Sequence, residues 1–144
     1  VPAKVRCNIW NQVHPYIEAE DLGSAVWLYE DGSVITYNAT TSYPQSTWYW
    51  QYELHGEKGA FFEAGGGPFD NQMTKWYYDN AWRTNAPAES EPEWFNSMDN
   101  FAAAIRDGAT LTATGQDGRV SRAILDAMYK SSREVNGDWV DVQI

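Results

Sequence analysis

His14, followed by Glu18, Glu20 and Asp21, supplies the residue types of a divalent-metal site. Its spacing matches no established ligand pattern, and the second histidine, His55, is remote in sequence. The run therefore reads as a solvated acidic loop. Nucleophilic chemistry finds as little support. Cys7 lies in an apparent strand, and Gly65-Gly66-Gly67 contains no serine elbow. No Gly-x-Gly-x-x-Gly or phosphate loop occurs, so the chain does not bind a dinucleotide in the usual way by itself. Carboxylate pairs exist, but no motif frames them, and a glycosidase reading would rest on composition alone. Asn38-Ala39-Thr40 is a glycosylation triplet only in a secreted chain.

The aromatic residues are the most distinctive chemistry. Eight Trp, nine Tyr and five Phe stand in 144 residues. Trp48-Tyr49-Trp50 and Trp76-Tyr77-Tyr78, with Trp82 and Trp94, offer flat amphipathic faces. Such faces stack on the C–H groups of sugars, and they equally suit the buried centre of a protein interface. About half of them belong to ordinary sheet core, and Trp50 and Leu54 are expected inward.

Charge and length narrow the classes further. A formal charge of −10, with ten Lys plus Arg, argues against a nucleic-acid backbone as partner. The length suits one domain with a real core and is too short for a nucleotide-binding domain plus a substrate domain. One cysteine excludes an internal disulfide framework and favours a reducing, cytoplasmic setting. No apolar stretch approaches the roughly 20 residues that span a bilayer. An opening at Val1-Pro2-Ala3-Lys4, on an apparent strand, suggests a fragment or a processed product.

The elements that must position these groups read as strands first and helices after. Ala3 to Val13 is a first strand. Ser24 to Glu30 and Ser33 to Thr41 flank Asp31-Gly32, expected as a type I′ turn with positive φ at both residues. Thr47 to His55 and Ala60 to Ala64 flank Gly56-Glu57-Lys58-Gly59 as a second hairpin, and Thr74 to Asp79 is a further short strand or a turn that inserts aromatics. Alternation places Trp48, Trp50, Tyr52 and Leu54 on one face and Tyr49, Gln51, Glu53 and His55 on the other. In the first hairpin Trp27 and Tyr29 lie opposite in face to Val26 and Leu28, so both faces carry apolar bulk, which predicts helices on one side and a partner on the other. The period then changes. Phe95, Met98, Phe101 and Ile105 form a helical stripe ended by Gly108, with Glu89, Glu91 and Glu93 near its start. Gln116 to Val135 is a second helix with Val120, Ile124, Ala127 and Met128 inward and Gly137 beyond its end. Asp138 to Ile144 is a last strand. The fold class is α+β, a large open and mostly antiparallel sheet with helices on one face, in a single domain over residues 1–144.

Ordered segments within this pattern carry a family resemblance. Asp21-Leu22-Gly23-Ser24-Ala25-Val26 leads into Tyr29-Glu30-Asp31-Gly32-Ser33, followed by Glu53-Leu54-His55-Gly56-Glu57-Lys58-Gly59-Ala60. Phe101-Ala102-Ala103-Ala104-Ile105-Arg106-Asp107-Gly108 comes next, then Thr114-Gly115-Gln116-Asp117-Gly118-Arg119 and Tyr129-Lys130-Ser131-Ser132-Arg133. In order and spacing, over nearly the whole chain, this resembles the C-terminal domain of the Gfo/Idh/MocA oxidoreductases.

The resemblance implies an α/β domain that is paired, in family members, with an N-terminal Rossmann domain binding NAD or NADP and acting on sugars, inositols or related polyols. The dinucleotide site belongs to that other domain. The family's catalytic lysine, in Glu-Lys-Pro, has no counterpart: Glu57-Lys58-Gly59 sits in a hairpin turn and lacks the proline. The family's Asp-x-x-x-His motif has none either, because Trp10 and Gln51 stand four residues before His14 and His55. The chain alone is therefore expected to carry no catalytic and no cofactor-binding residue and to be inactive. Substrate contacts fall to Trp48 or Tyr49 by the family pattern, with Gln51, Trp76 and Tyr77 beside them. The expected partners are the parent's Rossmann domain, a sugar or polyol, and a second copy of the chain through the sheet. A stand-alone carbohydrate-binding module and a purely structural dimerisation domain are the competing readings.

Overall fold

The computed structural model describes residues 1–42, 49–66, 73–84 and 97–144. Along the chain run β1 (Lys4–Trp10), β2 (Leu22–Leu28), β3 (Val34–Thr40), β4 (Tyr49–Gly56), β5 (Gly59–Gly66), β6 (Met73–Tyr78), β7 (Ala81–Arg83), α1 (Ser97–Asp107), α2 (Gly115–Glu134) and β8 (Val140–Asp141). They fall into two compact units, Val1–Tyr43 with Asn96–Ile144, and Pro44–Phe95. The fold is α+β and every strand pairing among the described residues is antiparallel. The pairing forms two four-stranded sheets, β3-β2-β1-β8 and β4-β5-β6-β7, where one large sheet is the sequence expectation. β7 is an addition, and β1 and β8 are shorter than the hydrophobic pattern suggests.

In the first unit, Val5 lies opposite Trp27 and Cys7 opposite Ala25, so these four side chains share a face. Helix α2 covers that face with Ala127 and Met128, and Ile9, Ile124 and Val140 pack around them. The 3.6-residue stripe identified in the sequence is this buried stripe. Thr114 caps α2: its hydroxyl receives the Asp117 N–H, and the Asp117 carboxylate receives the Thr114 N–H at 2.7 Å. This reciprocal box satisfies donors that the first helical turn leaves open. Beyond the other end, Gly137 adopts φ +79, with the Asn8 side chain packed where a Cβ would stand.

Strand β8 pairs only with Lys4 and Val5 of β1. The rest of that edge is closed by serine hydroxyls from the end of α2. Ser131 Oγ accepts the Cys7 N–H at 2.9 Å, and Ser132 Oγ accepts the Ile9 N–H at 3.1 Å. A buried backbone donor without a partner is costly, so two side chains stand in for a missing strand.

Helix α1 carries the expected helical stripe, and Gly108, at φ +68, follows its end as predicted, with Met98, Phe101 and Ile105 exposed. The buried residue of α1 is Asn100. Its side chain donates to the Thr110 carbonyl at 2.9 Å and accepts the Thr112 N–H at 2.9 Å. A polar clamp on the connection to α2, not an apolar stripe, fixes the rotation of this helix. Phe95, Glu89, Glu91 and Glu93 lie outside the described residues.

The hairpins also differ in detail. At Asp31-Gly32 only the glycine is left-handed, at φ +86. The Gly32 N–H donates to the Tyr29 carbonyl at 3.1 Å, and Asp31 Oδ1 accepts the Ser33 N–H at 2.9 Å. This is the three-residue loop with a glycine bulge, in place of the expected type I′ turn. The pair with positive φ at both residues is Asp79-Asn80, at φ 51 and 57, joining β6 to β7. Among the described residues, no helix is long and apolar enough to cross a membrane.

Candidate functional site

The second unit carries the residues singled out for substrate contact. Its register assigns each side chain to a face. Trp50, Tyr52 and Leu54 of β4 lie opposite Gly65, Glu63 and Phe61 of β5, and Phe61 lies opposite Trp76 of β6. The rings of Phe61 and Trp76 are 4.6 Å apart, and those of Trp50 and Tyr52 are 5.6 Å apart. Trp50 lies over Gly65, where a Cβ would come within 2.7 Å of the indole, so the missing side chain makes room for the ring. Leu54 is exposed, at 60%, which corrects its expected core position: among the described residues nothing closes over the hairpin end of this face.

The opposite face holds Tyr49, Gln51, Glu53 and His55 of β4, as alternation requires. Across it stand Ala64, Phe62 and Ala60 of β5, then Lys75 and Tyr77 of β6, and Trp82 of β7 opposite Tyr77. The Tyr49 hydroxyl donates to Gln51 Oε1 at 2.7 Å, which couples a ring and an amide on one exposed surface. Tyr77 and Trp82 pack with ring centroids 5.5 Å apart. His55 Nε2 lies 3.0 Å from Glu53 Oε1.

Of the proposed substrate residues, Tyr49, Gln51 and Tyr77 thus share one face, whereas Trp76 sits on the other. Trp48 lies outside the described residues. Sequence reasoning grouped Trp76 with Tyr77 because they are adjacent. Period-2 alternation on β6 is the signal that separates them. Alternation had already placed Glu53 and His55 on the Tyr49 face, and the same rule carried across the hairpins would have added Trp82.

In the first unit, the acidic loop after β1 is a structural device. The buried Asp21 carboxylate accepts the N–H groups of Gln12, Val13 and His14 at 3.0, 2.7 and 2.9 Å. The Gln12 N–H foremost, and then those of Val13 and His14, hold this carboxyl well below the usual carboxylate range, while burial acts the other way. His14 Nδ1 approaches the same carboxylate at 3.3 Å. Glu20 accepts the Tyr129 hydroxyl, which lowers the glutamate and raises the phenol, and Arg133 stacks over the Tyr129 ring at 4.7 Å. These residues are spent on one another, and no group of His, Cys, Asp and Glu fit for a metal ion is present among the described residues. Burial pushes the Cys7 thiol up, away from the reactive thiolate.

The model of the Gfo/Idh/MocA family described as "Oxidoreductase family, C-terminal alpha/beta domain" matches residues 2–142. No curated protein matches the chain. Among solved structures, the aldose-aldose oxidoreductase from Caulobacter crescentus, complexed with glycerol, is 20% identical with a TM-score of 0.75, over 97% of this chain and 41% of that one. The WlbA dehydrogenase from Bordetella pertussis, in complex with NADH and UDP-GlcNAcA, is 26% identical with a TM-score of 0.68, over 99% of this chain and 39% of that one. A levoglucosan dehydrogenase in complex with NADH and levoglucosan is 18% identical with a TM-score of 0.69, over 99% of this chain and 45% of that one. The chain spans about two-fifths of the length of these proteins.

Proposed function

The chain belongs to the Gfo/Idh/MocA oxidoreductase family, matching its C-terminal alpha/beta domain, and from that membership we propose that it is the substrate-binding and oligomerisation domain of an NAD(P)-dependent sugar or polyol oxidoreductase. The observation that carries this reading is the exposed Tyr49–Gln51 pair on the face that also presents Tyr77 and Trp82. The hydroxyl and amide supply directional hydrogen bonds, and the Tyr77 and Trp82 rings, inclined at 59° further along the same face, supply apolar surface, the two kinds of contact a polyhydroxylated ligand needs. The relatives that hold UDP-GlcNAcA or levoglucosan alongside NADH support a sugar as the substrate class.

The described residues do not fit a dinucleotide. Every strand pairing among the described residues is antiparallel, so no parallel switch point is formed between them. At the N-terminus of α2, where a pyrophosphate would sit, the Asp117 carboxylate already occupies the cap and repels an anion. NAD or NADP accordingly belongs to the N-terminal Rossmann domain of the parent protein, and this chain by itself is inactive. Glu57-Lys58, within the β4–β5 turn, takes no catalytic role.

Assembly rests on the outer face of the first sheet. Val26 and Leu28 are half-buried there, opposite in face to Trp27, beside Arg6, Asn8 and Ser24. A second copy covering this face gives a homodimer or larger homo-oligomer, in a cytoplasmic enzyme.

Titration of the chain with D-glucose and myo-inositol, followed by tryptophan fluorescence, tests the substrate half. A weak saturable response that Gln51→Ala diminishes is expected from half of a site. A flat response overturns it, and tight binding without a dinucleotide domain moves the assignment to a stand-alone carbohydrate-binding module. Sedimentation at high concentration tests the assembly half, which a strict monomer would overturn.

A further inference from the structure

One row of the second sheet combines a fixed imidazole, a small floor and an aromatic wall. His55 lies opposite Ala60, Ala60 opposite Tyr77, and Tyr77 opposite Trp82, so all four side chains project from the same face in one line across β4, β5, β6 and β7. His55 and Tyr77 are two strand spacings apart, about 10 Å. Between them Ala60 contributes only a methyl group. Phe62, two residues along β5 on the same face, closes one end of the resulting notch, and the Gly56-to-Gly59 turn leaves the other end open. Gly59 permits this closeness of strands, since a Cβ there would lie 2.4 Å from the Tyr77 carbonyl oxygen.

The two walls are chemically different. On one side the Tyr77 and Trp82 rings pack at 5.5 Å and 59°, and Trp82 is half exposed, at 51%. On the other, His55 Nε2 faces Glu53 Oε1 at 3.0 Å. A carboxylate only accepts, so the proton of a neutral imidazole resides on Nε2 and the Nδ1 lone pair is left as an acceptor. An exposed histidine with one nitrogen engaged offers a single directed hydrogen-bond acceptor opposite a stacking surface.

We propose that this notch is a subsite for one hexose or cyclitol ring, whose C–H face stacks on Tyr77, with Trp82 packed behind that ring, while a ring hydroxyl donates to His55. The assignment rests on the reading of this face as the sugar-binding face and adds His55, Glu53, Ala60 and Trp82 to it. Glu53 is a positioning residue: it touches the imidazole and fixes which nitrogen accepts. Ala60 sets the specificity, because any larger side chain fills the space the ring would occupy.

The test is titration of the full chain with D-glucose and with myo-inositol, read by tryptophan fluorescence and by the imidazole proton signals. The chain has two histidines, so a His14→Ala variant assigns the His55 signal at once. The His55 signal should move in step with the fluorescence change. Loss of one hydrogen bond in His55→Ala should weaken binding by about tenfold. Ala60→Leu, with His55 intact, should weaken it at least as much, and Trp82→Phe less. An unmoved His55 signal at saturation, or unchanged affinity in both His55→Ala and Ala60→Leu with circular dichroism preserved, overturns the notch. If Gln51→Ala then still weakens binding, the broader sugar-face reading stands without it. A wild-type chain that responds to neither ligand removes both.

Discussion

The Ser131 hydroxyl accepts the Cys7 N–H at 2.9 Å across 124 residues of sequence, and donates to the Asp138 carbonyl at 2.6 Å. One small side chain thereby joins β1, the last turn of α2 and the approach to β8. Ser131 is fully buried and so is its bond to Cys7, so the Cys7 N–H finds no water if the hydroxyl is removed. Ser131→Ala should cost about 1–3 kcal/mol, the penalty of leaving a buried backbone donor unpaired. Ser132→Ala removes a bond at a less buried position and should cost less. Urea unfolding midpoints of the two variants check both the size and the order.

Asp21 makes stability depend on acid. Its carboxyl stays ionised in the folded chain below the usual range, so on acidification the unfolded chain takes up the proton first. The stabilisation is complete above the ordinary carboxylate value and is lost as pH falls through the depressed folded one. Asp21→Asn should lower the unfolding midpoint at neutral pH and flatten the acid limb of a midpoint-against-pH plot. His14→Ala should leave most of that limb, because the Gln12 and Val13 N–H groups still hold the carboxylate. An acid limb unchanged in Asp21→Asn would show that other carboxylates govern it.

Much of the chain's architecture was legible because its physics is local. The stripe through Ile124, Ala127 and Met128 defines α2 from sequence alone and recurs in the structure as its buried face, whereas the Thr114–Asp117 capping box was not read from the sequence. The alternation on β4 gives the correct face for every described residue of that strand. What stayed hidden depends on partners remote in sequence. Nothing near Asn100 announces that its amide will clamp Thr110 and Thr112 while the apolar stripe of α1 stays exposed. Nothing near Cys7 announces the Ser131 hydroxyl. The candidate site was half legible: Tyr49, Gln51 and Tyr77 follow from residue type, but only the pairing of β5 with both neighbours brings His55 and Trp82 into one row with Tyr77.

The Asp79-Asn80 turn gives a backbone prediction. Both residues are left-handed, a conformation that costs an ordinary L-residue roughly 1–2 kcal/mol and that Asn, Asp and Gly tolerate. Asn80→Val should lower stability by about that amount, and Asn80→Gly should be neutral or raise it. Thermal unfolding of the pair decides the matter, since the two substitutions differ in sign only if φ at this position is positive. The turn also fixes how Trp82 follows Tyr77, so Asn80→Val should weaken ring packing and alter the near-ultraviolet circular dichroism.

Gly59 tests whether close strand approach, rather than turn flexibility, is what a glycine supplies at the β4–β5 hairpin. Its φ is not positive, so an alanine there meets no backbone penalty of its own. The obstacle is the Tyr77 carbonyl oxygen, 2.4 Å from the position of the new Cβ, and a carbonyl in a ladder has no rotamer with which to step aside. Strands β5 and β6 would have to separate, at a cost of about 1–3 kcal/mol. Gly32, left-handed with nothing near its Cβ position, is the control: Gly32→Ala is strained through φ alone and should leave β5–β6 pairing intact. Amide hydrogen exchange separates the two mechanisms. Gly59→Ala should speed exchange along β5 and β6, and Gly32→Ala only around the β2–β3 turn. Equal protection of β5 and β6 in wild type and Gly59→Ala would mean that the hairpin accommodates the methyl group without parting.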